Sequence, residues 1–140
     1  MNVALDTNVI VYALTGANDE ASAASEALED AASQRGTIVV SAPVYAELLA
    51  MPHATRETID AFIAEARIRV DWEISIECWT AAGIAYASYA RRRRRQKLDS
   101  PRRILADFII GAHSLTVGSI LTADSSFYRT NFPGLRVLSL

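Results

Sequence analysis

The sequence predicts an α/β fold built on a mainly parallel sheet of four to five short strands, and three observations carry that prediction. Apolar runs of three or four residues recur along the chain, stretches of helical length and spacing separate them, and capping or turn residues stand at the junctions. The first run, VAL at 3–5, is too short for a helix and reads as a strand; NVIVYAL at 8–14 then has helical spacing, as does the Ala-rich segment 19–34. TIVV at 37–40 is the second strand, with Gly36 as the turn before it, and Ser41 with Pro43 opens the helix APVYAELLAM. RETIDAFIAEA is the next helix and IRV at 68–70 the third strand. The long stretch ISIECWTAAGIAYASYARR follows, and its arginines continue without a helix breaker. Ser100 with Pro101 then introduces ILADFIIGAHSL, Gly118 ends it, SIL at 119–121 is the fourth strand and RVL at 136–138 the fifth.

Composition bounds the rest. The chain has 140 residues, 51% hydrophobic and 21% charged, which fills one core and argues against disorder, so a single domain over 1–140 is expected. Met1 runs into VALDTNVIVYAL with no basic leader, and no apolar stretch reaches about 18 residues, so no membrane association and a cytoplasmic location are expected. Cys78 is the only cysteine, so no internal disulfide can form, and its expected role is a small core residue. The net charge of −2 hides a strong asymmetry: eight of the 14 Lys and Arg residues lie between 91 and 103, whereas residues 1–34 contain none.

Four acids interrupt or end apolar segments: Asp6, Glu47, Asp107 and Asp124. A lone buried carboxylate pays a desolvation penalty and tends to neutralise, and four together repel one another unless a hard divalent cation reverses the local field. Asp6 follows the first strand and Asp124 the penultimate one, so both project from the carboxyl edge of a parallel sheet, where open α/β sheets bind ligands. Asp107 has Ile104, Ile110 and Gly111 beside it on its helix, and Glu47 has Pro43, Val44, Ala50 and Met51, so neither finds a base within its own helix. Any one of these acids alone could be a cap, as Asp6 could be for NVIVYAL; the pattern rests on all four. The other twelve acids sit on polar faces. Oxygen ligands of this kind suit Mg2+ or Mn2+, which can activate water against a phosphodiester. No His or Cys cluster points to zinc.

The ordered set LDTNVIVYAL, Glu47 in an apolar helix, LADFIIGAHSL and SILTADSSFYRTNFPGLRVL resembles the successive motifs of PIN-domain ribonucleases, most nearly the VapC-type toxins of toxin–antitoxin systems, from Met1 to Leu140. The resemblance implies a three-layer PIN-like fold and a metal-dependent endoribonuclease. Its catalytic and metal-binding acids fall on Asp6, Glu47, Asp107 and Asp124, and Thr7, Asn8 and Thr122 match supporting polar positions. It further implies structured RNA such as tRNA or rRNA as substrate, a homodimer and a cognate antitoxin. Many relatives carry a second acid two residues after the Asp124 position; this chain has Ser126, so one well-held ion is expected. The arginine run is then expected to clamp the RNA backbone through Arg92, Arg93, Arg94, Arg95, Arg102 and Arg103, carrying affinity and not base choice. Trp79, Tyr86 and Ala90 recur at helical spacing and are expected in the core, while Tyr12, Phe127 and Tyr128 lie nearer the acidic edge.

Two other readings compete. An aspartate after the first strand could be a phosphatase nucleophile, but Asn8 stands where such enzymes place a second acid. A catalytically degenerate PIN domain serving as an RNA- or protein-binding scaffold is the non-enzymatic alternative.

Overall fold

The computed structural model describes residues 1–16, 19–34, 36–97 and 103–140, and these form five strands and seven helices. In chain order they are β1 (Val3–Leu5), α1 (Thr7–Thr15), α2 (Asp19–Ser33), β2 (Ile38–Ser41), α3 (Ala42–Leu49), α4 (Arg56–Glu65), β3 (Ile68–Asp71), α5 (Ile76–Gln96), α6 (Leu105–Val117), β4 (Ser119–Thr122), α7 (Ser125–Asn131) and β5 (Arg136–Ser139). The sheet has the order β3-β2-β1-β4-β5 and every pairing is parallel. The expected α/β class stands, with the sheet wholly parallel.

From β1 the chain winds outward through β2 to β3, then crosses back to β4 on the other side of β1 and on to β5. The winding direction therefore reverses between β1 and β4, and at such a point the loops leaving neighbouring strands diverge and open a crevice at their carboxyl ends. The three central strands, β2, β1 and β4, are buried throughout, as a sheet covered on both faces requires.

Helix α6 is the inner helix. Every residue from Phe108 to Ser114 is buried, and its two polar members are satisfied: Ser114 Oγ donates to the Ile110 carbonyl at 2.7 Å, and His113 Nε2 pairs with Asp71 Oδ2 at 2.8 Å. Phe108 is the hub of an aromatic cluster, with ring centroids of Tyr86, Tyr89 and Phe127 at 4.9, 5.3 and 5.3 Å. Gly118 ends α6 with φ of 117°, a left-handed conformation that a side chain would strain.

Helix α5 runs on through the arginines to Gln96, as the absence of a breaker predicted. It buries only a narrow stripe, Cys78 and Ala82 flanked by Ala81, Ala85, Tyr86 and Tyr89. Trp79 lies at the edge of this stripe, one heptad before Tyr86, and is about half exposed, so the expectation that it belongs to the core is corrected: this helix is apolar on more than one face, and spacing alone does not say which face is covered. The expected helix start at Ser100 and Pro101 lies outside the described residues. The sequence reading also omitted α7, a seven-residue helix that buries Phe127 and Tyr128; the pairing of those aromatics with Phe132 just before Pro133 was the available signal.

Gly111 lies directly beneath Phe132, and a Cβ there would overlap the buried Phe132 ring. Gly111→Ala is expected to lower stability by about 1–3 kcal/mol through overpacking, outweighing the roughly 1 kcal/mol that alanine gains over glycine in a helix. A urea midpoint equal to or above that of the parent chain would contradict this packing.

Candidate active site

The crevice at the carboxyl edge is built first around Asp6. Its backbone N–H donates to the Leu121 carbonyl at 3.0 Å, which fastens the end of β1 to β4. The side chain is almost fully buried at 7% exposure, and it caps α1. Oδ1 accepts the Thr7 amide at 2.8 Å; Oδ2 accepts Thr122 Oγ1 at 2.8 Å and Asn8 Nδ2 at 3.1 Å. Burial pushes this carboxyl above its ordinary range, hydrogen bonds from Thr122, Tyr128 and the Thr7 amide oppose that, and the charge of Asp107 adds to the rise.

Glu47 reaches the same place from α3. Its Oε1 accepts Thr7 Oγ1 at 2.7 Å, so Thr7 serves two acids at once, Asp6 through its amide and Glu47 through its hydroxyl. Burial raises the Glu47 carboxyl, Thr7 lowers it, and Asp107 and Asp6 raise it further. Asp107 is the third residue of α6, and its Oδ2 accepts the Ile104 amide at 3.3 Å, half of a capping interaction at the helix N-terminus. Burial again raises it, the Ile104 amide and Arg103 oppose, and Asp124 adds repulsion. Asp124 follows β4, its amide donating to Thr122 Oγ1 at 2.9 Å, and its Oδ2 meets Arg103 Nη2 at 2.6 Å.

The four acids singled out in the sequence therefore share one electrostatic neighbourhood, contributed by β1, α3, α6 and the loop after β4. Thr7, Asn8 and Thr122 are all engaged with them, and Asn8 Oδ1 also accepts the Ala123 amide at 3.1 Å, tying α1 to the β4–α7 turn. Tyr128 completes the wall. Burial raises its phenol far above the ordinary range, and the charges of Asp6, Asp107 and Asp124 push the same way, so it stays protonated. The sequence placed Tyr128 near this edge without assigning it that contact.

The donor set is wholly hard oxygen, and three of the four carboxyls carry burial and mutual repulsion that a divalent cation would relieve, so these residues fit such an ion. Among the described residues no three acidic, histidine or cysteine side chains close tightly around one point as they stand. Few protein ligands completed by water is the usual arrangement for Mg2+. Neither histidine belongs here: His53 is exposed, and His113 is held by Asp71, whose carboxyl is raised by burial but brought below its ordinary value by His113 and Arg69.

The basic residues divide. Arg92 Nη2 donates to Asn131 Oδ1 at 2.6 Å, and the Arg93 guanidinium lies 5.8 Å from the Tyr89 ring centroid. Together with Arg103 they line a concavity of about 230 Å³ that also reaches Ser126, on the exposed side of α7. Arg94 and Arg95 line a different concavity with Arg91, away from these residues. Arg102 lies outside the described residues. Sequence reasoning missed the pairing of Arg103 with Asp124.

The family model described as "PIN domain" matches residues 3–133. Among solved structures, the chain is similar to VapBC2 from Rickettsia felis bound to a promoter DNA fragment, with 23% identity, a TM-score of 0.65, and 99% of this chain and 98% of that chain covered. VapBC-1 from nontypeable Haemophilus influenzae gives 20% identity, a TM-score of 0.65 and the same coverage. FitAcB from Neisseria gonorrhoeae gives 20% identity and a TM-score of 0.52, with 97% and 96% covered. A search of the curated proteins finds no match.

The raised carboxyls have a thermodynamic consequence. For Asp6, Glu47 and Asp107 the folded chain holds its protons above the ordinary values of 3.8, 4.5 and 3.8, so it binds more protons than the unfolded chain just above those values. The contribution of these three groups to stability then falls as pH rises through that window toward neutrality. Thermal melts in chelator are expected to show a Tm that declines from about pH 4 upward, and Mn2+ is expected to raise Tm more at pH 7.5 than at pH 5. A pH dependence of the chelated Tm that is the same in the parent chain and in Asp6→Asn and Asp107→Asn would be incompatible with these shifts.

Proposed function

The chain belongs to the PIN-domain family, a family of nucleases, and on that premise we propose that it is a divalent-metal-dependent endoribonuclease of the VapC type, the toxin of a toxin–antitoxin pair. The observation that carries the proposal is Asp6: a carboxylate almost out of water at the topological switch point, fixed by Thr7, Asn8 and Thr122, with Glu47 and Asp107 in its field and Asp124 in that of Asp107. Burial of this kind is unfavourable for the metal-free fold, which makes it a mark of function.

In this reading Asp6 and Asp107 would be the principal residues holding the ion, with Glu47 and Asp124 supporting it directly or through water. Mg2+ or Mn2+, when bound, lowers the pKa of a coordinated water and offsets charge on the scissile phosphate. Thr7 keeps Asp6 and Glu47 in fixed orientations, and Thr122 does the same for Asp6 and the Asp124 backbone. Tyr128 stays protonated there and serves as a hydrogen-bond donor to Asp6. Ser126 adds no charge, which favours a single well-held ion. The groove of Arg92, Arg93 and Arg103 supplies phosphate-binding groups beside the acids.

Partners belong to the same proposal. Substrate is structured RNA such as tRNA or rRNA, and a small antitoxin protein covers the groove; VapBC and FitAcB are similar in fold. A second copy of the chain would cover Ile76, Trp79 and Ile84, which α5 leaves exposed, and light scattering on the purified chain reads that directly. No helix among the described residues is long and apolar enough to cross a membrane, compatible with action on RNA in the cytoplasm.

Asp6→Asn and Asp107→Asn keep shape and remove charge, so each is expected to lower Mn2+-dependent RNA cleavage by about a hundredfold or more and to abolish growth arrest on expression. Undiminished cleavage in both variants would rule the assignment out, and RNA binding by the parent chain with no metal-dependent cleavage would favour the scaffold reading. For the basic stretch, Arg92 to Arg95 changed to Ser should reduce the slope of log K against log salt by about 0.7 for each phosphate of single-stranded RNA that is no longer neutralised. An unchanged slope would remove these arginines from the RNA interface.

A further inference from the structure

Arg103 stands directly beside the acids. Its Nη2 is 2.6 Å from Asp124 Oδ2, its guanidinium lies 4.6 Å from the centroid of the Phe127 ring, and its backbone N–H donates to Tyr89 Oη at 2.8 Å. The main chain is thus pinned to α5 while the side chain rests on an aromatic face, with 40% of its surface open to solvent. Its charge also reaches Asp107, so it acts on two of the four acids. The rest of its surroundings form the concavity shared with Arg92 and Arg93, which reaches Ser126, two residues beyond Asp124.

Two demands meet at this point. If a divalent cation takes Asp124, a guanidinium at 2.6 Å competes with it for the same oxygen. A phosphodiester approaching four carboxylates needs positive charge beyond that of the ion, and arginine offers a planar fork that matches phosphate oxygens in two parallel hydrogen bonds.

We propose that Arg103 is an exchanging counter-ion: it holds Asp124 while the groove is empty, and it passes to a backbone phosphate of the bound nucleic acid when a divalent cation takes over that carboxylate. The Phe127 face keeps the guanidinium in place during the exchange, since a cation lying over the ring face is attracted to the ring as a whole and does not need one fixed hydrogen-bond partner. Metal and phosphate then favour one another, because each draws Arg103 away from the position that opposes the other. The inference rests on the metal site proposed above, and the experiment separates the two.

Isothermal titration of Mn2+ into nucleic-acid-free protein is the first measurement, on the parent chain, Arg103→Gln, Arg103→Lys and Asp6→Asn. Removing the competing charge should tighten Mn2+ binding by about three- to fivefold in Arg103→Gln, the size set by a partly exposed ion pair, and Arg103→Lys should stay near the parent. The second measurement is binding of a short labelled oligodeoxythymidylate, which presents the phosphate backbone without the 2′-hydroxyl. Mn2+ should strengthen that binding in the parent chain and do so less in Arg103→Gln. If Arg103→Gln and the parent bind Mn2+ equally while Asp6→Asn binds it more weakly, the exchange is wrong and the metal site stands. If Mn2+ does not bind, or binds with no dependence on Asp6, both fail.

Discussion

A carboxylate held almost dry at the end of the central strand sets terms that its surroundings must meet. Asp6 cannot be left unsatisfied, because a buried charge without donors costs several kcal/mol or neutralises. Its donors come from α1, β4 and, through Tyr128, α7, and two of the same side chains turn outward to serve the neighbouring acids, Thr7 for Glu47 and Thr122 for the Asp124 amide. The parallel order makes this possible. Only with β1 beside β4 do the residues after both strands share one edge, and the Asp6 amide bonded to Leu121 fixes that edge.

The hydrogen bonds do not cancel the burial. Asp6, Glu47 and Asp107 all remain raised, each partly by another acid. The fold thus tolerates a local imbalance at one edge and offsets it in the packing elsewhere, in the buried run of α6 and in the aromatic cluster around Phe108. His113 and Asp71 show the other way of handling polar groups. The His113 ring pairs with Asp71, which Arg69 also engages, and Asp71 moves below its ordinary value.

Much of this was legible in the residues. Each strand was a short apolar run bounded by turn residues, and the rule that parallel sheets bind at their carboxyl edge located Asp6 and Asp124 without coordinates. What sequence could not supply was the partner across space. Glu47 with Thr7, 40 residues apart, needs α1 and α3 side by side. Arg103 stood in the sequence as one more arginine of a basic stretch, and only the docking of α6 against β4 sets it on Asp124. Trp79 was misplaced because α5 is apolar around much of its circumference, and α7 was passed over because its apolar residues follow Asp124 without the length that marks a helix.

The bond between Thr122 and Asp6 joins residues 116 positions apart. At synthesis rates of about 5–20 residues per second, on the order of ten seconds separate the appearance of the two partners. Through that interval the nascent chain has its first acid but neither the hydroxyl that steadies it nor the strand that completes the crevice. Whatever chemistry the edge performs is thereby withheld from the ribosome-bound chain until β4 docks beside β1, so the order of translation itself delays the arming of the site.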